Sequence, residues 1–424
     1  MSKNYWLMKF FKIFNKLIIF SFFIFFSIIL IYLVYIINTK DPLVKSFRKE
    51  FKTIIKKGNF KENIFNDYRV EQLPRSQFTK LNFKKVKLDF IKLSNCHIGL
   101  CYTFYVEQHN ENLIIADRKG NINLIKLSSL KDKQINYKKV STNLDFDSIL
   151  DTFVINDHIY ISGKKTLSKE VTQIKIVKGK INENEIIFEN LIELSSNKCM
   201  FTHSVHSGKI QSFNNNEEKL LISINSSGWT DNASMASLEE DSICGKILLI
   251  DANSKNYEIY SKGHRNIIGL YADKDVILST EHGPFSGDEI NNIKYKKSYG
   301  WPVASYGEKY SRGNSNDDPF YKKNHQNNGF EEPIFSFIPA LGISEIIKLS
   351  NNFSNMWEDN FLIASLNGKH LHRVKFDENY NKMIYSEKLY VGDRIRDLLY
   401  NEDSKKIILA LELSGSLGII TNAE

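Results

Sequence analysis

Apolar positions fall into three successive regimes along the chain. Residues 17–37 are almost wholly apolar, broken only by Ser21 and Ser27. A run of that length spans the hydrocarbon core of a bilayer as a helix. It follows a basic tail, residues 1–16, carrying Lys3, Lys9, Lys12 and Lys16. Tyr35, Ile36, Ile37 and Asn38 offer no small-residue cleavage site, so an uncleaved transmembrane signal anchor is expected. In the second regime, residues 43–57, Leu43, Phe47, Phe51, Ile54 and Ile55 recur at helical spacing with lysines mostly opposite. This predicts a short amphipathic helix, lying on a membrane surface or packed on the domain that follows. Residues 38–90 as a whole read as a juxtamembrane helix and linker ending in a strand.

From residue 91 the period shortens. Apolar or alternating runs recur at 112–116, 122–127, 153–162, 171–177, 219–224, 246–251, 276–280, 360–365, 371–376 and 406–411. Each is followed by Gly, Asn, Asp or Ser, as in DRKGN at 117–121. Short strands with frequent turn signals indicate an all-β sandwich, barrel or propeller. More than 300 residues built this way exceed a simple sandwich, and four-stranded blades around a channel accommodate them. The propeller domain is therefore expected over 91–424.

Composition adds little to that reading. The 424 residues are 42% hydrophobic and 25% charged, ordinary values for a globular chain. The net charge of +8 comes from scattered lysines, so nucleic acid is not an expected partner. Cys96, Cys101, Cys199 and Cys244 lack CxxC spacing, which argues against structural zinc. Disulfides and free buried thiols both remain open. Lys40, Lys45, Arg48, Lys49, Lys52, Lys56 and Lys57 follow the apolar span. By the positive-inside rule they favour a cytoplasmic domain, although large domains translocate despite such charges.

Four motifs cluster between residues 263 and 302: GHRN at 263–266, TEHGP at 280–284, GDEIN at 287–291 and YGWP at 299–302. ADRKGNINLI at 116–125, HSGKI at 206–210, CGKILLID at 244–251, SLNGKHLHRV at 365–374 and GDRIRDL at 392–398 accompany them. Together they resemble the soluble PQQ-dependent aldose sugar dehydrogenases of the glucose/sorbosone dehydrogenase family. The resemblance covers most of 105–424, with a poorly matched insertion near 306–330. It implies a six-bladed β-propeller with PQQ and calcium on one face.

What it implies for single residues rests on simple chemistry. The turn at Gly283 and Pro284 can aim backbone carbonyls at calcium, which takes oxygen ligands. Asp288 and Glu289 are further calcium candidates, and they could equally cap the turn and pair with Arg265. Arg265 and Asn266 match residues beside the cofactor. Asn offers a donor and an acceptor to a quinone edge. His282 is a positioning contact. Arg394 and Arg396 alternate along a strand-edge segment and suit the carboxylates of PQQ. They could instead form a solvated cluster with Asp393 and Asp397.

Two positions depart from the family pattern. The catalytic base belongs to an H-x-[SG]-G-R pattern, and counting back four from Lys209 lands on Val205. His206 follows directly and is the preferred base, and His203 lies two residues earlier. A one-residue slip on a strand turns a side chain to the other face, and a bulge would restore it. The family's cofactor lysine is Asn367 here, with Lys369 two residues on. The expected function is oxidation of aldose-type sugars by a membrane-anchored, periplasm-facing quinoprotein that passes electrons to a membrane acceptor. The alternatives are a non-catalytic propeller that binds a sugar or protein partner, and a calcium-dependent hydrolase, for which no carboxylate cluster beyond Asp288 and Glu289 speaks.

Overall fold

The structure is a computed structural model. It describes residues 74–423 apart from 75, 78, 97, 133–134, 168–171, 195–206, 227–234 and 310–320. Both the expected span at 17–37 and the amphipathic segment at 43–57 lie outside the described residues. Among those described, no helix is long and apolar enough to cross a membrane.

Six sheets, antiparallel except where Glu185–Ile186 pairs parallel at the edge of one, form the blades of a propeller. Blade I starts at Phe104–His109, blade II at Ser148–Ile155 and blade III at Ile210–Phe213. Blades IV, V and VI start at Ile267–Ala272, Ile343–Lys348 and Ile395–Asn401. Each first strand contacts the first strands of its neighbours, and blade VI meets blade I, so the ring is closed. Blade VI takes its outer strand from the front of the domain. Leu81–Lys87 pairs antiparallel with Ser416–Asn422, in register from Leu81 with Asn422 to Lys87 with Ser416. The propeller thus reaches back to Leu81, ten residues before the start expected at 91. Joining the first and last strands of the propeller in one sheet leaves no gap in the ring. Ser94–Cys96 and Gly99–Cys101 form a separate two-stranded hairpin.

Apolar side chains occupy both faces of the blades, and the core consists of layers between neighbours. Leu150, Tyr160 and Ile174 of blade II pack with Leu220, Ile222 and Leu248 of blade III. Leu362 and Leu371 of blade V pack with Leu398, Ile407 and Leu409 of blade VI. Cys96, Cys101 and Cys244 are disulfide-bonded.

The first strands share a defect. Pairing slips by a residue or more between Ile149 and Asp151, between Ile267 and Gly269, between Ile343 and Ile346, and between Ile395 and Asp397. Such bulges bend the strand and re-aim the extra side chain. They lie at the same end of four blades, and Arg396 is one of the residues left without a cross-strand mate.

The candidate active site

The GHRN and YGWP motifs lock onto each other. Gly263 (φ +74°) and Gly300 (φ +92°) occupy the left-handed region that glycine tolerates. A Cβ on Gly263 would lie 2.7 Å from the Gly300 nitrogen. Trp301 N donates to the Gly263 carbonyl at 3.0 Å. Trp301 Nε1 donates to Ser226 Oγ at 2.9 Å, and the Trp301 ring lies 5.3 Å from the Arg265 guanidinium. The histidine of GHRN is an internal strut. His264 is fully buried and stacked on Tyr299, with Nδ1 3.1 Å from Glu281 Oε2 and Nε2 2.9 Å from Ser261 Oγ. Glu281 also accepts from Arg265 N, so this one carboxylate sets both ends of the Arg265 turn. Arg265 in turn donates from Nη1 to the His282 carbonyl at 3.0 Å.

Arg265, Glu281, His282, Gly283, Glu289, Tyr299 and Trp301 line a small recess completed by Ala304 and Ser305. Asn266 flanks it, its carbonyl accepting from His282 N at 3.0 Å. Asn266 Oδ1 is buried with no hydrogen-bond partner. His282 Nε2 lies 2.6 Å from the Ile343 carbonyl, which can only accept, so the ring donates there. Burial holds His282 below the usual histidine range, against the Asp288 charge, which acts to raise it. These contacts make His282 a fixed donor facing the chain itself.

The 283–288 turn gathers oxygen atoms. A Cβ on Gly283 would lie 2.1 Å from the Ser286 carbonyl oxygen and 2.3 Å from that of Gly287. Ser286 sits at φ +93°, and its hydroxyl is buried without a partner. Asp288 holds the turn in place. Its Oδ1 accepts from Gly283 N at 3.1 Å, and its Oδ2 accepts from Leu341 N, Gly342 N and Ile343 N at 2.9, 2.6 and 3.2 Å. The Asp288 carboxylate is therefore committed to four backbone N–H groups. It makes no ion pair with Arg265, which faces Trp301 and the His282 carbonyl instead. Burial, then the Glu281 charge, pushes Glu289 well above the usual carboxylate range. His325 Nε2 lies 3.5 Å from Glu289 Oε1. Among the described residues, no group of three or more His, Cys, Asp or Glu side chains is placed to hold a metal ion.

Arg394 and Arg396 share a carboxylate that the sequence reading did not single out. Arg394 Nε donates to Glu412 Oε2 at 3.1 Å and Arg396 Nε to Glu412 Oε1 at 2.7 Å. Glu412 Oε1 also accepts from Thr103 Oγ1 at 2.9 Å, and the Glu412 side chain is fully buried. The two arginines hold Glu412 below the ordinary glutamate range despite its burial, which acts to raise it. The neighbouring aspartates have other partners. Asp393 accepts from Lys85 Nζ and Asp397 from Val106 N. Lys369 sits at φ +57°, half-buried, and its carbonyl accepts from Val391 N and Gly392 N. Asn367 is exposed.

His203, Val205 and His206 lie outside the described residues. The residue after His206 is pinned firmly. Ser207 Oγ donates to the Ile267 carbonyl and contacts Ser223 Oγ, both at 2.7 Å. Ile267 follows Asn266 in the chain. Lys209 then enters the axis of the propeller, its ammonium paired with Asp151 of blade II and Glu345 of blade V. Asp397 and Glu107, from blades VI and I, add to the field around it. Lys209 is not among the site residues expected from the sequence. Its signal lay in single acidic residues within otherwise apolar first strands.

A closed six-bladed propeller carrying a recess of this kind at one end defines a class in which loops between blades build the site. Within that class, the glucose/sorbosone dehydrogenase family model matches residues 104–418, and the chain belongs to that family. The aldose sugar dehydrogenase of Escherichia coli is 29% identical over 164 residues, covering 38% of this chain and 43% of that protein. Quinoprotein glucose dehydrogenase B of Acinetobacter calcoaceticus is 24% identical over 218 residues, covering 39% and 45%. The chain thus spans less than half the length of these curated relatives. Among solved structures, apo aldose sugar dehydrogenase from E. coli superposes with a TM-score of 0.64 at 19% identity, over 80% of this chain and 99% of that one. A PQQ-bound aldose sugar dehydrogenase from Streptomyces coelicolor gives 0.56 at 16%, over 81% and 98%. At these identities the structures speak to the fold.

Proposed function

We propose that the chain is a membrane-anchored, PQQ-dependent dehydrogenase of aldose-type sugars with calcium beside the cofactor. The observation that carries this reading is Asn266 Oδ1, a buried and unpartnered acceptor next to the Arg265–Trp301 pair. Burying such a group without a partner is costly, and a cofactor bound beside Asn266 would offer it one. Asn266 and Arg265 would hold one edge of PQQ, and Arg394 and Arg396 its carboxylates. Their Nε atoms bind Glu412, and the forked ends of both guanidinium groups can serve an acidic ligand. The Gly283–Pro284 turn, with the orphaned Ser286 hydroxyl, suits a hard cation. Glu289 would join it, since a divalent ion alongside favours the ionised carboxylate. Asp288 holds that turn and is not itself a ligand in this reading.

PQQ would supply a quinone that accepts hydride from sugar C1. The chain's own task is to orient the sugar and take the C1 hydroxyl proton. His206 is the proposed base, and the bond from Ser207 to Ile267 ties its chain neighbour to the Asn266 loop. His282, donating to Ile343, positions the 281–288 turn. Lys369 lies on the blade V turn, where it would meet the cofactor in place of the residue at 367. The anchor at 17–37 would keep the enzyme near a membrane electron acceptor. The disulfide-bonded cysteines suit an oxidising compartment and support a periplasm-facing domain.

A non-catalytic propeller binding a sugar or protein partner is the second reading. Glu412 favours it, because it already neutralises charge on both arginines. The two are separated by purifying the full-length chain in detergent, adding PQQ and calcium, and following dye reduction with a panel of aldoses. Sugar-dependent dye reduction, lost in His206→Ala and kept in His203→Ala, supports the dehydrogenase. Saturable sugar binding with no PQQ uptake supports the second reading.

A further inference from the structure

Blade V carries a histidine pair that the proposed site does not use. His370 and His372 are two residues apart on His370–Phe376, so both rings lie on one face of the sheet. Their centroids are 4.6 Å apart, and Phe337 of blade IV packs 5.0 Å from His372. Both residues are buried, at 3% and 8% exposure.

Each ring is anchored through the same nitrogen. His370 Nδ1 lies 2.7 Å from the Gly368 carbonyl. A carbonyl only accepts, so Nδ1 carries the proton and Nε2 of the neutral ring presents a lone pair. His372 Nδ1 lies 3.3 Å from Ser386 Oγ. Both Nε2 atoms are buried without a hydrogen-bond partner. Burial is the main influence that depresses both rings, His370 to about 4 and His372 to about 3, so both are neutral at physiological pH. The turn is shaped around this arrangement: a Cβ on Gly368 would fall 2.5 Å from His370 Cε1.

His370 is in the form in which histidine ligates a metal, its Nδ1–H tied to a carbonyl and its Nε2 open, and His372 takes the same form when the Ser386 hydroxyl accepts from its Nδ1. Two neutral nitrogens without a carboxylate disfavour calcium and magnesium and suit zinc or copper. We propose that His370 and His372 form a two-histidine site for a zinc-type divalent ion between blades IV and V, distinct from the proposed calcium turn. Because the described residues offer no third His, Cys, Asp or Glu ligand, water or a small anion completes the coordination. Lys388, opposite His372 in register on the outer strand, is exposed. Its flexible stem lets its charge stay in solvent.

The test is titration of Zn(II) into the full-length, metal-stripped chain in detergent, followed by calorimetry and by X-ray absorption at the zinc edge. Saturable uptake of one equivalent is expected, with imidazole nitrogens in the first coordination shell and a raised melting temperature. Ca(II) should not compete. His370→Gln and His372→Gln should each abolish saturable uptake. Ser386→Ala removes only an exposed hydroxyl and cannot threaten the fold, and it should weaken uptake roughly tenfold. A flat titration of the unsubstituted chain would overturn the site, as would uptake unchanged by all three substitutions. An edge spectrum without imidazole would do the same.

Discussion

At the scale of single residues, two side chains separate cofactor binding from stability. Asn266 Oδ1 is buried and unpartnered, so its removal should not weaken the fold. Asn266→Ala is expected to leave the urea midpoint unchanged and to lower PQQ affinity about tenfold, or about 1.4 kcal/mol, when measured by equilibrium dialysis. Asp288 is the opposite case. Its carboxylate satisfies four backbone N–H groups in two separate segments. Asp288→Ala should cost about 3 kcal/mol or more in urea unfolding, with or without calcium. A loss seen only with calcium present would make Asp288 a ligand after all.

Among the elements, the middle strands of the blades were easier to read than the innermost and outermost ones. The runs at 246–251 and 406–411 coincide with strands Lys246–Asp251 and Lys406–Leu411, because both are buried on both faces and carry unbroken apolar sequence. The run at 153–162 spans two strands, Ser148–Ile155 and His158–Thr166, joined by the tight turn that NDH at 156–158 signals, and Val154 and Ile159 continue the apolar pattern across it. The first strands of blades I and V did not stand out, and that of blade VI showed only as a strand-edge segment carrying Arg394 and Arg396. Glu107, Glu345 and Asp397 face the channel and interrupt their periodicity. Glu412 was equally silent, since a lone glutamate beside a glycine-rich turn reads as surface. The motifs at 263–302 gave the site's outline, but not that His264 and Glu281 are its internal frame. Leu81–Lys87 escaped because its lysines look like linker, and only pairing with Ser416–Asn422 gives it a place. That closing strand invites a test. Val86 is 4% exposed and packs with Leu88, Ile408 and Leu417. Val86→Asp should lower stability by about 3 kcal/mol or more and expose the whole domain to limited proteolysis. Cleavage confined to the N-terminal strand would contradict cooperative closure of the ring.

The molecule as a whole is tied at its axis by Lys209. Its ammonium meets Asp151 and Glu345, with Asp397 and Glu107 close enough to perturb it. Removing one partner of a buried pair leaves an uncompensated charge, so Lys209→Met should cost about 3–5 kcal/mol in urea unfolding. The acids outnumber the lysine. Burial, helped by Asp397 and Asp151 and opposed by Lys209, raises Glu345 to about 8, and Asp151 rises to about 6 mainly through burial. The folded state thus holds protons that the unfolded chain releases near pH 4. Their contribution to stability is complete below about pH 4 and is lost as pH rises through about 6 and 8. Urea unfolding should show stability declining from pH 5 to pH 8.5, and Glu345→Gln should flatten the upper part of that decline. An unchanged slope would mean Glu345 is ionised throughout.

The frame, the recess and the orphaned acceptor together make one central claim, that this propeller oxidises sugars through bound PQQ. The most direct measurement is the absorbance of the PQQ- and calcium-loaded chain, without any dye, before and after an excess of aldose. The spectrum of the oxidised cofactor should be lost within the mixing time or shortly after, and should return when an electron acceptor is added. A cofactor that binds yet keeps its oxidised spectrum with every aldose tried would contradict it.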